Sequence, residues 1–241
     1  KHPGIPVIGN FNGGLSNSED HLILREANGN PVDDVRYYDG DPWPAYTDKG
    51  GSSLELINPS ADNSSPDAWA ASDNAATSEW KTYTFTAPAL RPRWYPTASQ
   101  RKFQELRLGL LDEGEVLVDD VTVTADPLGQ ATPLIQNGSM ADGDAHWRFL
   151  GTHMTSHVEN DGGNPALRIV ATGPLNYMNN IVETSLKEEG ETRLHAVDLG
   201  TEYQISLRAK WLHGSPQLHA ELYYNQVTTT FILDQPQSHG T

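Results

Sequence analysis

The nine residues Glu115-Val-Leu-Val-Asp-Asp-Val-Thr-Val123 set two adjacent aspartates in the middle of an apolar run. Strict alternation along a strand places Val116, Val118, Asp120 and Thr122 on one face and Leu117, Asp119, Val121 and Val123 on the other. Either way round, one carboxylate shares a face with apolar side chains. An ionised carboxylate taken out of water must be paired, hydrogen-bonded or bound to a metal. The expectation is a β-sandwich strand that holds a calcium ion or a tight turn. The alternative is an edge strand with both aspartates in water.

The same strand pattern recurs along the chain. Residues 21–25, 32–38, 53–57, 80–86 and 105–111 form a first group of candidate strands, and 115–124, 166–171, 202–211, 217–224 and 227–233 follow. Turn residues separate them, among them Asn28-Gly29, Asp39-Gly40, Asp112-Glu-Gly114 and Gly162-Gly163. The best helix candidate, Ser185 to Ala196, scatters Leu186 and Leu194 among charged residues and contains Gly190, a pattern that fits a solvated loop. Short strands between such turns predict an all-β fold of sandwich type. Residues 58–79 carry little apolar material and read as a linker or a long ordered loop. A second break falls at Asp126-Pro-Leu-Gly-Gln-Ala-Thr-Pro133.

Composition narrows the partners. Sixteen basic against 32 acidic side chains give a net charge of −16, which repels a polyanion such as DNA, while divalent cations and neutral sugars stay compatible. The absence of cysteine removes disulfides, thiolate nucleophiles and Cys-based zinc sites. No apolar run reaches the length of a membrane span. The opening Lys-His-Pro-Gly-Ile-Pro-Val-Ile-Gly has too short an apolar core for a signal peptide, and without an initiator Met the chain is expected to be a processed product or a fragment.

Two family resemblances organise the strands. Gly9-Asn-Phe-Asn-Gly-Gly-Leu-Ser-Asn17, Leu22-Ile-Leu24, Gly29-Asn-Pro-Val-Asp33, Asp41-Pro-Trp-Pro44, Gly50-Gly-Ser-Ser-Leu-Glu-Leu-Ile57 and Trp69 follow one another in an order that resembles the C-terminal part of the bacterial lamin-tail domain. That resemblance covers residues 9–72 and implies an immunoglobulin-like sandwich whose N-terminal strands are missing, with a bare strand edge. Trp43 is expected to plug a loop onto that sandwich rather than stand as an aromatic platform.

From Trp80 onward the chain resembles the carbohydrate-binding modules built on a galactose-binding-like jelly roll. Trp80-Lys-Thr-Tyr-Thr-Phe-Thr86, Leu106-Arg-Leu-Gly-Leu-Leu111 and Val116-Leu-Val-Asp-Asp-Val121 resemble the end of such a module. Leu134-Ile-Gln-Asn-Gly-Ser-Met140, Trp147, Ala166-Leu-Arg-Ile169 and Gly200 to Trp211 resemble its beginning. The ending block thus precedes the opening block. Each half offers too few strands to cover a core, so the expectation is one sandwich with its halves exchanged along the chain. The resulting domains are 1–72, a partial lamin-tail domain; 73–233, the jelly roll; and 234–241, a tail or the start of a further module. The resemblance also implies a structural calcium between the closing strand and the opening loop, with Asp119, Asp120, Asn137 and Asp142 as ligands, although Met140-Ala141 stands where the family carries Phe-Glu.

Sugar recognition requires aromatic faces for the apolar side of a pyranose and planar polar groups for its hydroxyls. Tyr177, Asn179, Asn180, Trp211 and Tyr223 are the candidate ligand-binding residues, with the Asn-rich loop Asn176-Tyr-Met-Asn-Asn180 the best placed. His153 and His157 lie four apart without a helix to bring them together, so no zinc site is expected. Neither a Gly-x-Ser-x-Gly elbow nor a phosphate-binding Gly-rich loop occurs. The sequence therefore points to a non-catalytic, extracellular or cell-surface glycan-binding or adhesion module of a larger bacterial protein. The alternative is a structural subunit of a surface assembly or fibre, completed by strands from a neighbouring chain.

Overall fold

The computed structural model describes residues 13–47, 52–72, 77–91 and 103–236. The protein is all-β, with antiparallel sheets and three-residue 3-10 turns. The chain divides into two compact units, residues 1–74 with 236–241, and residues 75–235.

The first unit holds two small antiparallel sheets. Strands β1 (Glu19–Arg25) and β2 (Pro31–Tyr38) form a hairpin, and β3 (Leu54–Leu56) pairs with β4 (Trp69–Ala71). The segment expected as a linker or long loop therefore folds back in part, because Trp69 gives it an apolar anchor. Trp43 is buried and packs against Trp69 with ring centroids 6.2 Å apart, and the Trp69 indole N–H donates to the Asn63 carbonyl at 2.8 Å.

The second unit is a sandwich. One sheet runs in the order β10 (His157–Asp161), β11 (Asn164–Ala171), β7 (Gly114–Ala125), β13 (Glu202–Gly214), β5 (Lys81–Pro88), with the short β8 (Thr132–Pro133) also on β7. The other runs β15 (Val227–Ile232), β14 (Gln217–Leu222), β6 (Glu105–Leu110), β12 (Ile181–Ser185), β9 (Trp147–Leu150). Successive strands repeatedly cross between the sheets, the winding of a jelly roll. Leu106, Leu108 and Leu110 of β6 meet Val116, Val118, Val121 and Val123 of β7 and Ile205, Leu207 and Trp211 of β13 in one buried cluster. The segments on either side of the 126–131 turn share that core and are one sandwich.

Strand β7 departs from strict alternation. Val116 and Val118 face the core, and so do Val121 and Val123, although the two pairs have opposite parity. Asp120 adopts φ +49° and stands as an extra residue: Thr122 pairs with Ser206 and Asp119 with Arg208, leaving two residues of β7 opposite Leu207 alone. This is a β-bulge, and aspartate is among the few residues that tolerate the left-handed conformation it needs. The bulge falls where the neighbour of β7 changes, from β11 up to Val118 to the 132–138 segment from Val121 onward. Without it, one valine pair would turn outward at roughly 3–6 kcal/mol for two buried side chains. The left-handed residue costs about 1–2 kcal/mol, so the bulged register wins.

The 134–138 segment lies directly against this strand. Val121 donates its N–H to the Gly138 carbonyl at 2.9 Å, and a Cβ on Gly138 would sit 2.0 Å from the Val121 oxygen, so only glycine fits. At the other end of the unit, β5 and the end of β15 meet: Lys81 pairs with Asp234, and the Asp234 N–H donates to the Tyr83 hydroxyl at 2.9 Å.

Asp120→Gly is expected to leave stability within about 0.5 kcal/mol of the parent, since glycine adopts this φ freely and the exposed pair with Arg208 contributes little. Asp120→Val is expected to cost about 1–2 kcal/mol, and deletion of Asp120 more than either, because deletion forces the slip. Urea midpoints of the three variants test this order.

Candidate functional site

A groove of about 270 Å³ opens on the outer face of the second sheet. Arg107 and Glu221 of its floor belong to a charged row that follows from the register. Glu183 lies opposite Arg107 and Arg148, and Arg107 lies opposite Glu221, so β9, β12, β6 and β14 contribute one side chain each to a row of alternating charge. Arg148 Nε donates to Glu183 Oε1 at 3.0 Å, Arg107 Nε lies 3.5 Å from Glu183 Oε2, and Arg107 Nη1 donates to Glu221 Oε1 at 3.0 Å. Arg107 and Glu221 are both buried. Their charges persist there because each has a partner of opposite sign in direct cross-strand contact.

The groove has two walls. One is the β14–β15 turn, where Tyr223 lies under the Arg107 guanidinium, 4.6 Å from ring centroid to Cζ, and the Asn225 N–H donates to Glu221 Oε2 at 3.1 Å. Phe103 packs edge-on against Tyr223, centroids 4.9 Å apart. The other wall is the loop after β11, which presents Leu175, Asn176, Tyr177 and Met178. Tyr177 is 61% exposed. His219, beside the floor on β14, has its pKa lowered, first by burial and then by the Arg107 charge, with Glu221 opposing.

The residues singled out in the sequence are distributed unevenly. Tyr177 and Tyr223 line this groove, together with Asn176 and Asn225. Asn180 is committed to its own loop: its side-chain oxygen accepts the Thr152 N–H at 3.3 Å and its amide donates to the Pro174 carbonyl at 3.2 Å. Asn179 is exposed and does not line the groove. Trp211 requires a correction. It is 1% exposed in the core, and its indole N–H donates to the Gly214 carbonyl at 3.1 Å, so it presents no face to a ligand. The alternation Tyr203, Ile205, Leu207, Ala209, Trp211 carried that signal.

The four residues assigned to calcium are split between two places. Asp119, 2% exposed, accepts from Asn164 Nδ2 at 2.8 Å and lies 3.7 Å from Arg208 Nη1; its second oxygen is buried without a hydrogen bond. Asp120 is exposed and pairs with Arg208 at 3.2 Å. Asn137 spends its amide on the Gly143 and Ala145 carbonyls, both at 2.9 Å, and its oxygen on the Asp142 N–H at 3.0 Å. Met140, in the same loop, is fully buried. Among the described residues no group of three or more His, Cys, Asp or Glu side chains is placed to hold a metal ion. Asp119 meets the Asn164 amide and, with Asp120, the Arg208 guanidinium.

Sequence reasoning reaches Glu183 as a polar candidate for sugar hydroxyls but does not single out Arg107, Glu221 or Arg148. A signal for two of them exists: Arg107 interrupts Leu106-Arg-Leu-Gly-Leu110, and Glu221 interrupts Leu218-His-Ala-Glu-Leu222. A lone charge in an apolar strand implies a partner by the same logic as Asp119. No family model, no curated protein and no solved structure matches this chain.

Arg107→Met is expected to lower stability by about 3–5 kcal/mol, because it leaves the buried Glu221 carboxylate without its cation. Arg148→Met, at the exposed end of the row, is expected to cost under about 1 kcal/mol. Urea unfolding with an unchanged slope would report both differences.

Proposed function

We propose that the chain is a non-catalytic glycan-binding or adhesion module that acts outside the cell, and that this groove is its binding site. The observation that carries the reading is the joint placement of the exposed Tyr177 and the half-buried Tyr223 around a floor of ion-paired Arg107 and Glu221. An aromatic ring covers the apolar face of a pyranose, while an adjacent donor and acceptor suit two neighbouring hydroxyls. Asn176 and Asn225 add planar amides at the rim. Arg107 is already paired with two carboxylates and Arg148 with one, and the whole chain carries −16, so a neutral glycan is favoured over a uronate-rich one. The resemblance of residues 80–211 to carbohydrate-binding modules points the same way. The two carboxylates of the floor are held by Arg107, which favours binding over acid–base chemistry.

A second reading draws on the first unit. Leu22, Leu24 and Val32 of its hairpin are exposed, and a trough of about 750 Å³ lined by Leu22, Val35, Tyr37, Leu54 and Trp69 lies within that unit. A two-stranded hairpin with exposed apolar side chains favours a structural subunit completed by strand addition from a neighbouring chain.

Affinity electrophoresis against neutral and acidic polysaccharides tests the first reading. Tyr177→Ala is expected to weaken retardation by a neutral glycan about tenfold, the equivalent of about 1.4 kcal/mol, with no change in urea midpoint. Absence of retardation by every glycan, together with ordered self-association, would replace the glycan reading with the structural one.

A further inference from the structure

The groove wall that carries Tyr177 is fastened from below by a histidine. Strand β12 begins at Ile181 and pairs with β6 only as far as Leu108, so the Leu110 N–H has no strand partner on that side. It donates instead to His153 Nε2 at 3.1 Å. His153 is fully buried, and its other ring nitrogen lies 3.1 Å from the Thr152 hydroxyl. Since Nε2 accepts, the ring is neutral with its proton on Nδ1. Gly109 leaves room for this ring: a Cβ there would meet Ile181 at 2.8 Å, Leu175 at 3.1 Å and His153 Nε2 at 3.4 Å.

The 151–153 turn is in turn tied to the wall. Thr152 accepts the Thr172 N–H on its carbonyl at 3.0 Å and donates its own N–H to Asn180 Oδ1 at 3.3 Å. Asn180 braces the loop through the Pro174 carbonyl, and Leu175 donates its N–H to the Leu111 carbonyl at 3.0 Å. One path from β6 to the Tyr177 loop runs through His153, Thr152 and Asn180, beside the direct tie from Leu175 to Leu111.

We propose that neutral His153 is the latch that holds the 172–180 wall against the sheet, and that protonating it releases the wall and opens the groove. A protonated ring loses the acceptor that satisfies Leu110 and places a cation where no carboxylate answers it. Burial alone pushes His153 down to about 4. The charged groups on the neighbouring strands are engaged elsewhere: Glu183 of β12 with Arg107 and Arg148, Arg107 of β6 also with Glu221 of β14, and Arg168 of β11 with Glu115 and Glu159. His219 of β14, opposite Gly109, is a second histidine whose pKa is lowered by burial. With the wall open, His153 regains the ordinary histidine value near 6.5. Below that pH the open form gains a proton that the closed form does not. Its population then rises up to tenfold per pH unit and levels off near pH 4, about 300-fold in all.

The latch rests on the groove reading only for its consequence in glycan binding, and its test needs no ligand. Hydrogen-exchange protection, corrected for intrinsic rates, is measured from pH 7 to pH 4 on the full chain and on His153→Gln, whose amide oxygen still accepts the Leu110 N–H without titrating. The expected result is a loss of protection at Leu110 and across 172–180 of about 100-fold between pH 7 and pH 4 in the parent, a flat profile in the variant, and β13 amides that stay protected in both. The same profile in both proteins, or β13 losing protection in step with the wall, overturns the latch. Should the variant fail to fold, an NMR titration of the parent decides: a His153 midpoint near 4 shared by the wall amides supports the proposal, and one near 6.5 ends it. A wall that opens on schedule in a protein that binds no glycan at any pH supports the latch and removes the groove reading.

Discussion

The sandwich depends on one residue of slack. Strand β7 touches the core along its whole length, and its neighbour on one side changes halfway along. A regular strand cannot keep valines inward on both sides of that change, because side chains alternate with a period of two. The extra residue at Asp120 restores the parity, turning Val121 and Val123 back toward Val116 and Val118. The same step leaves Asp119 on the outer face, beside Leu117, where Asn164 and Arg208 receive it. Aspartate belongs here for its backbone as much as for its charge. The calcium expected from the sequence is one answer to a buried carboxylate, and in this fold an amide and a guanidinium provide another.

The second sheet shows the same economy with opposite effect. Its inner face is apolar, and its outer face carries Arg148, Glu183, Arg107 and Glu221 in register across four strands. The row neutralises itself, so it stabilises a rigid floor and adds no net charge to an already acidic protein. Around that floor the groove walls are supplied by turns and loops, where side chains are less constrained than on strands. Tyr177 and Tyr223 come from opposite walls, and the rigid strands between them set their separation.

Period-two alternation made ten strands legible, and each is a strand in the structure. The five that escape it have physical reasons. Strands β4 and β8 are two or three residues long, too short for a pattern. Strand β10, His-Val-Glu-Asn-Asp, is a sheet edge with little to bury, and β9 and β12 follow turn-rich segments that hide their short apolar alternation. The bulge was illegible because alternation assumes its absence. For the groove, aromatic and amide composition pointed to Tyr177 and Tyr223, whereas Trp211 was misplaced because its residue type was weighed above its parity within β13. The ion pairs of the row join residues on separate strands, Arg107 to Glu221 and to Glu183 and Arg148 to Glu183, which no local pattern encodes.

The meeting of Lys81 with Asp234, and of Tyr83 with the Asp234 backbone, places the first and last strands of the sandwich side by side. A fold whose entry and exit share one corner behaves as a bead on a string with both knots at the same point. Whatever precedes it and whatever follows it can lie next to each other without the chain having to traverse the sandwich. Such a unit can be spliced into a loop of another domain, or have its own strands renumbered by a cut at the 126–131 turn, with the same packed interior.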